Sequence, residues 1–293
     1  MPPRYKSTRN RSTALPQPTA PPRIPQIHAP TQPPVVPPAE GVPIVQLGWI
    51  LKALAIIFSA AFLFAYATLC IVFSRAQWQL VLHPSHSVPQ TPASFHLAFT
   101  PVHFGVDNSG LPQLAGWWIP APIPTVRTAL ILPSGEGSSA NALPAANLLH
   151  RQNLNVLLFD YRGYGDSLGD HPTQATMEFD ANTALTYLTA TRSIPSSSIV
   201  VYGIGLGAAL AVHLCAQNLA LPALVLQSPD GDLAERVRQN PSAKLVPFRQ
   251  LFNEPFPLAA PLRQLPTPRL IRTGTPSPAD LARFLSFHLP PAR

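Results

Sequence analysis

The sequence predicts an α/β fold: a mostly parallel sheet with helices on both faces, preceded by one transmembrane helix. Two observations carry that expectation. Short, continuously apolar runs alternate with amphipathic stretches through the C-terminal two thirds of the chain, the pattern of strands buried on both faces and covered by helices. Ahead of them lies an uncharged apolar run long enough to cross a bilayer.

Residues 1–43 hold 13 of the chain's 38 prolines and little that could form a core, so they read as a Pro-rich disordered tail. Five basic residues, Arg4, Lys6, Arg9, Arg11 and Arg23, sit there, so much of the formal charge of +7 describes the tail. No basic stripe with interleaved aromatics follows, which argues against a nucleic-acid partner. Residues 47–75 form the predicted membrane helix and its flanks. Ala53–Phe73 runs uncharged between Trp49 and Trp78, with Lys52 and Arg75 placed to snorkel, so residues 50–73 are expected to partner the bilayer. The run is too long and too far into the chain to read as a cleaved signal. The charge balance places the N-terminus in the cytoplasm and the domain on the outer side.

Residues 76–293 form the predicted domain. The segments at 95–106 and 114–120 alternate around Asp107, Asn108, Ser109 and Gly110, a hairpin signal. Strands follow at 129–132, 155–160, 198–203, 223–227 and 268–274, with helices near 139–151, 174–190, 206–218 and 278–287. Residues 229–265 break the rhythm and read as an excursion at the C-terminal edge of the sheet, where such folds bind ligands. Cys70 and Cys215 read as small buried hydrophobes. There is no Cys/His cluster, so neither metal nor cofactor is expected.

The runs LNVLLFDYRGYGDSLGD (154–170) and SIVVYGIGLGAALAVHL (198–214) resemble the α/β-hydrolase superfamily, in particular its single-pass membrane-anchored serine-hydrolase branch. RAQWQLVLHPSHSVPQTPASF, LAGWWIPAP and LVLQSP extend the likeness to roughly residues 75–274. The resemblance implies a G-x-S-x-G turn whose serine attacks a carbonyl. Here the turn reads Gly203, Ile204, Gly205, Leu206, Gly207: the glycine frame stands and the hydroxyl is missing. The family's acid falls about at Ser277, with Asp280 close by; Ser277, Pro278 and Asp280 equally read as a helix start. The family's histidine follows one further strand that is absent here, so the fold is expected to be C-terminally truncated, with His288 at a helix end. Ser134 and Gly135 stand where the oxyanion loop falls, and with Leu206 they form a possible oxyanion-type pocket of backbone N–H groups. Asp160, Arg162 and Asp166 belong to a motif that is mainly structural in the family.

Three functions follow. One is a membrane-anchored, non-catalytic hydrolase-like protein that binds a small acyl-type ligand or a protein partner. The second is an active ester, thioester or lipid acyl hydrolase using another nucleophile, with Ser134, Ser138, Ser167 and Ser228 as candidates. The third is dinucleotide binding through Gly203, Gly205 and Ala208, although the following strand ends in Gln227 where an acid is needed.

Overall fold

The computed structural model describes residues 46–291 except 108, 232 and 240–245. The Pro-rich tail and Asn108 therefore lie outside the described residues. Helix α1 (Leu47–Ala76) is almost wholly exposed along its apolar run, with a mean hydropathy of 2.4 over its most apolar window. A helix of this length and composition is long and apolar enough to cross a membrane.

The domain begins with a two-residue strand, β1 (His83–Pro84), followed by β2 (Thr100–Val106), β3 (Pro112–Ile119), β4 (Thr128–Leu132) and a second two-residue strand, β5 (Glu136–Gly137). Helix α2 (Leu143–His150), β6 (Asn155–Phe159), α3 (Gln174–Thr186), β7 (Ile199–Ile204), α4 (Gly207–Gln217) and β8 (Ala223–Gln227) come next. Short helices α5 (Leu233–Arg238), α6 (Phe248–Leu251) and α7 (Ala259–Gln264) occupy the excursion. Strand β9 (Arg269–Arg272) and helix α8 (Pro278–His288) follow.

The main sheet has the order β2-β3-β6-β4-β7-β8-β9. Strands β2 and β3 pair antiparallel, as do β3 and β6, and every other pairing is parallel. Alternate residues of the central strands point to opposite faces. Leu130, Leu157, Val201 and Leu224 meet the buried sides of α3 and α4. Ile131, Leu158, Tyr202 and Val225 meet those of α2 and α8. Burial on both faces explains why these strands read as unbroken apolar runs.

Two expectations need correction. The first hairpin strand starts at Thr100, not at Phe95, because Pro92 opens a 3₁₀ turn over Pro92–Phe95 that closes on His96 at φ +57°. The helix expected to 190 ends as an α-helix at Thr186 and continues as a π-helical turn over Tyr187–Thr191. The hairpin turn itself is built as the sequence suggests: the Asp107 carboxylate accepts from the backbone N–H groups of Ser109 and Leu111 and from the Ser109 hydroxyl.

Candidate functional site

Strand β7 feeds α4 through a turn in which Gly205 adopts φ +56°, a left-handed conformation that costs an L side chain about 1 kcal/mol. Its N–H donates to the Gln227 carbonyl at 3.0 Å, and its carbonyl accepts from the N–H groups of Ala208 and Asp230, both at 3.2 Å. The flanking glycines are required by space. A β-carbon on Gly203 would lie 2.7 Å from Ala208 Cα, and one on Gly207 would overlap the carbonyl oxygens of Leu132 and Pro133. The fold thus retains the tight strand-to-helix turn and exposes no nucleophilic atom at its apex, so no acyl-enzyme can form at Gly205.

The space that a side chain at Gly205 would fill is bounded by Ser134, whose Cβ is 3.1 Å from the β-carbon position, and by Asp230 Oδ2 at 3.4 Å. Ser134 is half-buried, and its hydroxyl has no hydrogen-bond partner among the described residues. Gly135 follows at φ +77°; its carbonyl accepts from the Tyr164 hydroxyl at 2.8 Å and from His83 N–H at 3.2 Å. A β-carbon there would meet Leu82 at 3.3 Å and Leu206 at 3.5 Å. Ser134, Gly135 and Leu206 therefore gather at the turn. Among the described residues none of their backbone N–H groups has an acceptor, which leaves donors for a carbonyl or anionic oxygen. Asp230 was not singled out from sequence. The only signal was its position three residues past β8, whose end adjoins the turn.

The other candidate serines are committed. The Ser138 hydroxyl donates to the Ser87 carbonyl. Ser167 is buried between the Ala115 N–H and the Asp160 carbonyl. Ser228 sits at φ +45° and donates to the Thr273 carbonyl.

At the acid loop, Ser277 Oγ accepts from Asp280 N–H at 3.1 Å and caps α8, while Asp280 Oδ2 pairs with Arg272 at 3.1 Å. Helix α8 starts from the C-terminal end of β9 and runs back along the sheet for about 15 Å. That places His288 at the end of the sheet opposite Gly205, tilted against the Phe284 ring.

The residues of the DYRGYGDS loop hold the loop itself. Asp160 is buried and accepts from Ser139 N–H at 2.6 Å; burial raises its pKa above the ordinary carboxylate value. Arg162 is committed to Asp180 through both Nε and its backbone N–H, and burial pushes the Asp180 carboxyl up to about 6. Asp166 is exposed. The Arg162–Asp180 pair lines a cleft of about 300 Å³ between the β2–β3 hairpin and α3, whose lining does not include Gly205. Burial pushes the Cys215 thiol up to about 12, as expected of an inert core residue. Gln227 accepts from the Tyr202 hydroxyl and donates to Thr275 Oγ1, so the position that a dinucleotide's ribose would need holds a bonded amide. Among the described residues no group of three His, Cys, Asp or Glu could hold a metal ion.

A sheet of this order, with a glycine-framed turn between β7 and α4 and an excursion after β8, defines an α/β-hydrolase. Residues 125–283, more than half of the chain, match the family described as serine aminopeptidase, S33, and the chain belongs to it. An uncharacterized protein of Mycobacterium tuberculosis is 32% identical over 163 residues, covering 55% of this chain and 57% of that protein. The α/β-hydrolase domain-containing protein WAV2 of Arabidopsis thaliana is 32% identical over 172 residues, 57% of this chain and 53% of that one. Protein bem46 of Schizosaccharomyces pombe is 37% identical over 103 residues, 34% of each. The chain thus spans about half the length, or less, of these relatives. An esterase of Pyrococcus furiosus superposes with a TM-score of 0.53 at 18% identity, over 71% of this chain and 99% of that one, a likeness of fold.

Proposed function

We propose that this α/β-hydrolase-family chain is a membrane-anchored, non-catalytic member that binds a small acyl-type ligand or a protein partner at the turn around Gly205. The supporting observation is the apex itself: an intact glycine frame surrounds a position with no hydroxyl, while nearby N–H groups have no acceptor among the described residues. A binding site for a carbonyl or anionic oxygen needs those donors and no nucleophile. The anchor is α1, with the N-terminus cytoplasmic and the domain on the outer side. Protease added to intact cells or spheroplasts tests the orientation: digestion of the tail with complete protection of the domain would reverse it.

The catalytic question is answered by exposing the purified full chain to a fluorophosphonate probe and to short-chain esters. Neither labelling nor turnover is expected. The second reading, an active hydrolase of esters, thioesters or lipid acyl groups, is favoured by one feature: Ser134 is half-buried beside Gly205, and its hydroxyl has no partner among the described residues. Labelling of wild type that vanishes in Ser134→Ala would establish it in place of the first.

A further inference from the structure

The last turns of α1 are not a free tether. Phe73, within the uncharged run, clusters with Val246 of the excursion, with Cys70, Phe248 and Leu251 packed around that pair, and Phe73 is buried there with its ring 6.3 Å from that of Phe248. One turn later Gln77, also buried, donates its amide to the Leu251 carbonyl at 3.2 Å and accepts from Asn253 N–H at 2.8 Å. The excursion is held from its far side as well. Glu254 accepts from the backbone N–H of Gln174 at the start of α3, and the Gln174 side chain accepts from Phe256 N–H at 2.8 Å. Trp78 stacks on His171 with ring centroids 5.1 Å apart.

We infer that residues 246–253, with the end of α1, form a face seated in the lipid head-group layer, so that the bilayer is the partner of this surface and the domain stands on the membrane in one orientation. The inference rests on α1 being a membrane anchor. If the run ending at Phe73 occupies hydrocarbon, Phe73 lies at that boundary, and the excursion side chains clustered with it must reach the interface. Phe248 and Phe252, half-buried and stacked at 4.6 Å, supply the aromatic surface that interfaces favour.

The same geometry keeps the Gly205 end of the sheet within reach of the membrane. From Phe73 the chain passes through the end of α1, a 3₁₀ turn over Gln77–Leu80 and two further residues to Leu82, which packs beside Gly135. That path spans at most about 20 Å. The far ends of the strands, near Ser197, lie roughly another 20 Å away across β7.

The test uses the full chain in phosphatidylcholine vesicles, with Cys70→Ala as background; Cys215 is buried and stays unlabelled. An environment-sensitive fluorophore is placed on Gln250→Cys, on Asn253→Cys or on Ser197→Cys, all exposed positions. With lipid carrying a doxyl quencher near the head group, fluorescence at 250 and 253 is expected to fall about twofold or more, and at 197 not at all. Protein that floats with the vesicles but shows no quenching at 250 and 253, or equal quenching at all three, overturns the inference and leaves the anchor intact. Protein that does not float overturns both.

Discussion

Ser134 and Gly205 face each other across the β7–α4 turn, with Ser134 Cβ 3.1 Å from where a β-carbon on Gly205 would stand. A serine restored at 205 would have to hold φ near +56° and push against that neighbour. Gly205→Ser is therefore expected to lower stability by about 1–2 kcal/mol. It should not create fluorophosphonate labelling, since a serine hydroxyl attacks only when a base takes its proton, and His288 sits at the opposite end of the sheet. Thermal unfolding in detergent and probe labelling of the variant check both parts. Labelling would mean that a base approaches the turn.

The frame glycines have less room than the apex. A methyl on Gly207 would overlap two backbone carbonyls, which cannot swing aside as a flexible side chain does. Gly207→Ala is expected to cost roughly 3 kcal/mol or more and to deplete folded protein. Gly231→Ala, at an exposed position with nothing within 4 Å of the new carbon, is the control and should leave the unfolding midpoint within about a degree of wild type.

Burial of both strand faces made β4, β6, β7 and β8 legible, because residues packed on two sides must be apolar throughout. The glycine frame was legible for a related reason: only glycine fits where β7 and α4 crowd the backbone after β4. The contacts closing the site were not. Leu82 beside Gly135, the β1–β5 pairing and Asp230 beside Gly205 join segments far apart in sequence, and single leucines or aspartates in loops carry no periodicity. The early end of α3 was hidden too, since YLTAT continues the helical pattern and its shift to π geometry is a matter of packing.

Asp180 gives the domain a pH signature. Its carboxyl titrates at about 6 when folded, against 3.8 ordinarily, because burial outweighs the favourable Arg162 contact. A raised folded pKa means that the native state holds the proton more tightly. This contribution is full below about pH 4 and is lost as pH rises through 6. Relative to Asp180→Asn, which cannot titrate, the wild type should lose up to about 2–3 kcal/mol of stability between pH 4 and 7. Paired denaturation curves across that range measure it; parallel curves would mean that Asp180 stays ionised under Arg162.

The acid loop offers the sharpest separation of structural from chemical roles. Ser277 accepts the Asp280 N–H, and Pro278 occupies the first turn, so the helix start satisfies an orphan donor with its own sequence. Ser277→Ala removes that acceptor and is expected to cost about 1 kcal/mol. The Asp280 carboxylate is exposed and bound to Arg272, and that contact, followed by Ser277, holds its pKa below the ordinary value. A lowered folded pKa contributes stability that is present above the ordinary carboxylate pKa and fades as pH falls toward the lowered one. Because water screens the pair, Asp280→Asn should shift the unfolding midpoint little, and less still in high salt. If either residue served chemistry at Gly205, its substitution would change ligand binding or ester turnover far more than stability. The expected order is the reverse: Ser277→Ala loses stability, Asp280→Asn loses almost nothing, and neither alters behaviour toward the fluorophosphonate probe. A collapse of turnover in Asp280→Asn with an unchanged unfolding midpoint would assign the carboxylate to catalysis and overturn the cap as a full account of this loop.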